Sequence, residues 1–195
     1  MAKIKLTKNE LKAQRDALAR FNRYLPTLQL KKQQLQMEMR RLDQEIAEKR
    51  DEEQEARARL SSWIQLYSEE IDLAPYAHLE TLQTSTGNIA GVAIPILEDL
   101  VFEEVIPDLF ETDPWVDEGI RVAKQLTRLR VERKILEEQH RLLAEELRTT
   151  TQRVNLFEKV KIPEAKENIR IIRIFMGDQQ TAAVARSKIA KGKSA

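Results

Sequence analysis

Two long stretches of heptad-spaced apolar residues bracket a middle segment that has neither heptads nor any Lys or Arg. One seam position of the first stretch reads Leu11, Leu18, Leu25, Lys32, Met39, Ile46, Glu53, Leu60, Tyr67. The other reads Gln14, Phe21, Leu28, Leu35, Leu42, Lys49, Ala56, Trp63. The spacing alternates three and four, the pattern by which a helix buries one narrow stripe against another helix. The second stretch reads Val122, Leu126, Leu129, Leu136, Leu143, Leu147, Val154, Phe157. These runs predict a mainly α protein: a long antiparallel two-helix coiled coil with a small middle insert. Pairing of each helix with another chain is the alternative arrangement. Chains of this kind couple, space or transmit rather than catalyse.

The composition agrees. Charged residues make up 33% of the 195, and only 5 are Gly, so turns are scarce and long charged helices are favoured. Cysteine is absent, which removes disulfides and thiolate metal sites from consideration. The first residues lack the apolar stretch of a signal peptide, and no apolar run approaches the roughly 20 residues that span a bilayer. A soluble protein, peripheral to any membrane, is expected.

The first helix is predicted to start near Thr7, where Thr7 and Glu10 form a capping box, and to run to about Ile71. That is roughly 95 Å of helix at 1.5 Å per residue. Pro26 predicts a kink or local break, because proline lacks an N–H and crowds the preceding turn. Residues 72–113 form the predicted insert. Its uncharged, β-branched stretch Leu82–Ile96 predicts a short β-hairpin, with Gly87-Asn88 and Gly91 offering turn geometry and Pro95 at an edge. Glu98–Phe110 reads as a short helix or extended chain. Six aromatics, Trp63, Tyr67, Tyr76, Phe102, Phe110 and Trp115, predict a small packed cap where the helices meet. Asp113-Pro114 reads as an N-cap and first-turn proline, opening a second helix over 114–187. Its seam changes phase at Pro163, as a stutter does. Residues 188–195 read as a basic, frayed tail.

Antiparallel pairing would set Glu53 near Arg133 and Lys49 near Glu137. These polar seam residues cost stability and fix register. The bland account is that their long side chains reach solvent from a narrow seam.

Charge is strongly segregated under a net +1. Residues 61–120 carry thirteen acids and no Lys or Arg, leaving all 33 basic residues against 19 acids elsewhere. Asymmetry on this scale concerns partners as well as solubility. In an antiparallel hairpin the basic clusters Lys3, Lys5, Lys8 and Arg186, Lys188, Lys191, Lys193 share one end, and the acidic cap forms the other. Basic residues at a helix C-terminus also suit the macrodipole. Nucleic-acid binding is not indicated, since basic residues interleave with acids and not with aromatics. There is no phosphate loop, GxGxxG, nucleophile elbow or HExxH. The two histidines are far apart in sequence, and His140 reads as a seam residue rather than a metal ligand. No cofactor is expected.

Three stretches carry a family resemblance. Leu6-Thr7-Lys8-Asn9-Glu10-Leu11 with Leu30–Leu35 opens the first helix; Asn88-Ile89-Ala90-Gly91-Val92 with Ile94-Pro95 sits in the hairpin; Arg153-Val154-Asn155-Leu156-Phe157-Glu158 with Ile162-Pro163 lies in the last helix. Together, over nearly the whole chain, they resemble the D subunit of V-type/A-type rotary ATPases, the central stalk shaft. The last motif is the most specific, matching an Arg-Val-Asn-Ala-Leu-Glu…Ile-Pro signature. Leu156-Phe157 in place of Ala-Leu, and Tyr24-Leu25-Pro26 where many members carry a Gly-His-type stretch, point to a divergent bacterial branch.

The resemblance implies a non-catalytic rotor subunit, seated in a catalytic A/B-type hexamer that holds the ATP sites. It implies an F-type flank subunit and a socket subunit leading to the membrane ring. The location implied is cytoplasmic and peripheral, and the hairpin is implied to modulate hydrolysis. Candidate partner contacts are Lys3, Lys5, Lys188, Lys191 and Lys193 from the charge pattern, with Asn88, Ile89, Gly91, Arg153 and Asn155 from the motifs. A flagellar or export-type stalk entering a hexameric ATPase is the competing class. It accounts for the coil but not for the middle segment or the Arg-Val-Asn motif.

Overall fold

A computed structural model describes residues 4–60, 76, 78–103, 105 and 116–193. The elements are α1 (Lys8–Leu60), β1 (Leu79–Ile89), β2 (Val92–Phe102), α2 (Val116–Leu156), a π-helical turn (Phe157–Lys161) and α3 (Ile162–Lys193). The expected end of the first helix at Ile71 and the start of the second at Asp113-Pro114 lie outside the described residues. So do four of the six aromatics of the expected cap: Trp63, Tyr67, Phe110 and Trp115. The chain divides into two compact units, Met1–Gln33 with Arg148–Ala195 and Gln34–Leu147.

The start of α1 follows from its cap. The Glu10 N–H donates to Thr7 Oγ1 at 3.3 Å, satisfying one otherwise unpaired donor, and the Leu11 N–H makes the first helical bond to the Thr7 carbonyl at 3.0 Å. The Thr7 N–H goes to the Lys5 carbonyl and the Glu10 carboxylate to Gln14, so only one arm of the expected capping box is made. Helix α1 runs unbroken through Pro26, where a kink or break was expected. Proline removes one backbone bond. Seam residues Phe21, Leu25 and Leu28 are half-buried on both sides of it, and packing of that kind carries helices past weak local propensity.

In the first unit, α1 packs antiparallel against the π-turn and α3. Leu11 joins Ile169 and Ile172 in a buried cluster, extended by Ile4, Leu6, Leu18 and Met176. The Phe21 and Phe157 rings meet at 5.2 Å between centroids. The phase change at Pro163 takes the form of the π-turn, in which the Ile162 N–H donates to the Phe157 carbonyl five residues back. Pro163 has no N–H, and in a regular helix its ring would crowd the Lys159 carbonyl. The wide turn absorbs one extra residue, so Ile162, Ala165, Ile169 and Ile172 return to the buried face. α3 then continues to Lys193, so Lys188–Lys193, read as a frayed tail, is helical. Ala182, Ala183, Ala185 and Ala190 explain this, being the best helix formers available.

In the second unit, β1 and β2 form a two-stranded antiparallel hairpin. Eleven residues per strand make it longer than the short hairpin expected, and Glu98–Phe102 is strand rather than helix. Its turn is Ala90-Gly91, both at positive φ (51° and 82°), the geometry whose twist matches paired strands. Asn88 Oδ1 accepts the Gly91 N–H at 3.0 Å. Gly87, read as a turn residue, is paired with Ile94 inside the ladder. A Cβ there would make the exposed Ile96 side chain turn aside, so the glycine leaves that side chain room rather than making a bend. Pro95 fits because each strand of a two-stranded sheet is an edge.

Candidate functional site

Two arrangements in the second unit concentrate the polar chemistry of the described residues. The first is the seam between α1 and α2. Partners rise along one helix as they fall along the other: Asp43 with His140 (3.1 Å), Lys49 with Glu132 (3.1 Å), Glu53 with Arg130 (3.1 Å). Glu53 is 8% exposed, and three arginines surround it. Arg57 Nη2 and Arg130 Nε donate to Oε1 at 2.6 and 3.1 Å, while Arg133 Nε stands 3.4 Å from Oε2, an ion pair without hydrogen-bond geometry. The Arg130 hydrogen bond, aided by the charges of Arg57 and Arg133, holds the Glu53 carboxyl below the usual carboxylate range despite its burial.

Lys49 does not reach Glu137. It bonds Glu52 and Glu132, at 2.9 and 3.1 Å. Glu137 is held instead by Arg50 at 3.0 Å and Arg133 at 2.8 Å, and the Arg50 hydrogen bond leads in lowering its pKa. Lys49 and Arg50 project a helical step apart (about 100°), so each meets a different acid of the facing helix. The hydrogen bond from Lys49 to Glu52 leads in raising the lysine's pKa. Arg130, Arg57 and Arg50 were not identified from the sequence, because arginines outside a seam carry no periodic signal.

The second arrangement is the hairpin's dock on the coil. Leu35, Leu42 and Leu143 are fully buried there, with Ile94 at 4% exposure. Met39, Ile89, Ala90, Val92, Leu136 and Leu147 pack around them. Beside this cluster Gln139, only 8% exposed, donates from Nε2 to the Pro95 carbonyl at 2.6 Å. At the hairpin's other end Lys124 Nζ stands 5.8 Å from the centre of the Phe102 ring, a cation–π contact.

Of the motif residues, Ile89 is in the dock, whereas Asn88 and Gly91 are exposed at the turn. In the first unit Arg153 and Asn155 are exposed on α2, as are Lys5, Lys188, Lys191 and Lys193 elsewhere in that unit. Lys3 lies outside the described residues. Every residue from Gly177 to Lys193 is exposed. Among the described residues no His or acid cluster has the form of a metal site, and no helix is long and apolar enough to cross a membrane.

An antiparallel helical pair with polar register contacts and a β-hairpin docked on its flank defines a coiled-coil structural protein. Comparison with known sequences narrows the class. A family model for the D subunit of ATP synthase matches residues 10–192, and the chain belongs to that family. It is 52% identical over 191 residues to the V-type ATP synthase D subunit of Borreliella burgdorferi, covering 98% of this chain and 95% of that protein. The proteins of the same name from Chlamydia muridarum and Chlamydia caviae are 36% and 33% identical, covering 98% of this chain and 96% and 94% of theirs.

Proposed function

We propose that the chain is the central rotor shaft of a V-type rotary ATPase, passing torque between an ATP-hydrolysing or ATP-synthesising hexamer and a membrane ion-translocating ring. The observation that carries this reading is the family match over residues 10–192. The physics suits it. Torque transmission requires an element that does not unwind under lateral load, and two helices sharing a seam resist bending and twisting better than one. The Asp43–His140 contact and the ion pairs of Lys49, Arg50 and Glu53 across that seam oppose sliding of one helix past the other.

In this reading the chain is non-catalytic, and its partners are the A/B-type hexamer, an F-type flank subunit and a socket subunit above the membrane ring. It sits at the cytoplasmic face, held to the membrane through the complex. The basic termini enter the hexamer, and the hairpin adjusts the rate of hydrolysis. The proposed parts are 1–71 and 114–187 as the coil, 72–113 as the acidic insert and 188–195 as a basic end for contact. Reconstitution tests the reading. The chain should copurify at one copy with the hexamer and a small flank subunit, and its omission should abolish ATP-driven ion transport. Retention of full transport without it would overturn the assignment.

A further inference from the structure

Among the described residues three polar side chains are buried: Glu53, Gln139 and Thr150. Glu53 belongs to the arginine cluster of the seam. Gln139 belongs to no seam ion pair, and its amide is spent on the hairpin. We propose that Gln139 is a positioning residue, a latch that fixes the β-hairpin in one docked setting on the coil and whose release frees the hairpin as a unit.

The apolar part of the dock, Ile94 with Ile89 and Val92 against Leu35, Leu42 and Leu143, supplies attraction without direction. Such contacts tolerate slippage along a surface of repeating leucines. A hydrogen bond to one named carbonyl does not. Counting outward from the Ala90-Gly91 turn, Thr86 and Pro95 form a non-hydrogen-bonded pair, so the Pro95 carbonyl points away from β1 and takes its partner from outside the ladder. The proline ring fixes φ there, which makes that carbonyl a defined target. The short bond at 2.6 Å therefore sets where the hairpin sits along α2, while the Lys124–Phe102 cation–π contact at the hairpin's far end adds a weaker, less directional tie.

The consequence for hydrolysis rests on the rotor reading and on the hairpin's role in it; the latch itself does not. Hydrogen exchange on the full-length chain reads the latch directly. Gln139→Met keeps length and packing but removes the donor, and Gln139→Glu sets a carboxylate against the carbonyl. Amides of 88–100 should exchange on the order of tenfold faster in Gln139→Met and faster still in Gln139→Glu, with α1 and α2 unchanged. Unchanged hairpin exchange in both variants overturns the proposal, and so does equal loosening of the helices. In the reconstituted ATPase, Gln139→Met should shift kcat in the same direction as deletion of residues 84–94, with KM unmoved. Faster exchange with unaltered kcat would sink the hairpin's regulatory role while supporting the latch.

Discussion

At the residue scale the decisive group is Glu53. A leucine at this seam position would serve the coil well, and a buried carboxylate among arginines is seldom the most stable choice. Its worth lies in what it makes costly. Replacing it with Gln removes the charge and leaves Arg133 facing a neutral amide, whereas Leu restores an apolar seam. Two of the three arginines are half exposed and can turn to water, which limits the penalty. Glu53→Gln is expected to lose about 1–2 kcal/mol in urea unfolding, and Glu53→Leu less than that. If Glu53→Leu proves the worse variant, the seam is held by charge rather than by register. The same group sets a pH dependence. The carboxyls of Glu53 and Glu137 are lowered in the folded state, so the folded chain binds fewer protons than the unfolded one. Their contribution is full above the ordinary carboxylate pKa of 4.5 and is lost as pH falls through the lowered folded values. Unfolding midpoints should drop on acidification below about pH 4.5, and less steeply in Glu53→Gln.

At the element scale two local irregularities carry predictions. The π-turn holds one more residue than a regular helix needs, and none of its five residues is buried. Deleting Val160 together with Pro163→Ala should convert it to α-helix with the seam still in phase, leaving the thermal midpoint unchanged or raised. The deletion with Pro163 kept should lower it by restoring the ring's clash with the carbonyl four residues back. Inserting an alanine beside Val160 should rotate Ile162, Ala165 and Ile169 out of the seam and cost about 2–4 kcal/mol. Equal effects from deletion and insertion would show that the turn is not a phase correction. The hairpin turn holds Ala90 at a φ of 51°, where a Cβ is unfavourable. Ala90→Gly should relieve about 1 kcal/mol of that strain, read as slower exchange across β1 and β2.

At the scale of the whole molecule the question is charge. Both termini belong to one unit, with basic residues clustered at each, while residues 61–120, free of Lys and Arg, belong to the other. The exposed stretch of α3 from Gly177 to Lys193 includes Lys188, Lys191 and Lys193. Neutralising these three to Gln should weaken assembly with the catalytic hexamer and flatten its dependence on ionic strength. Assembly that is equally tight at every salt concentration would remove charge steering from the account.

The sequence by itself determined what depends on local order. The heptads specify helices and their buried stripe, Thr7 with Glu10 specifies a start, and the Arg153–Pro163 motif points to the family. The phase change at Pro163 was also legible, though not that a π-turn carries it. Tertiary structure decided what depends on partners distant in sequence. It moved Lys49 to Glu132, gave Glu137 to Arg50, chose Gly91 over Gly87-Asn88 for the hairpin turn, and joined Gln139 to Pro95. The physical reason is that a seam of repeating leucines buries nearly the same area in several registers. Periodicity therefore fixes which face is buried. Which side chains meet across it is settled only by reach and hydrogen-bond geometry in the packed chain.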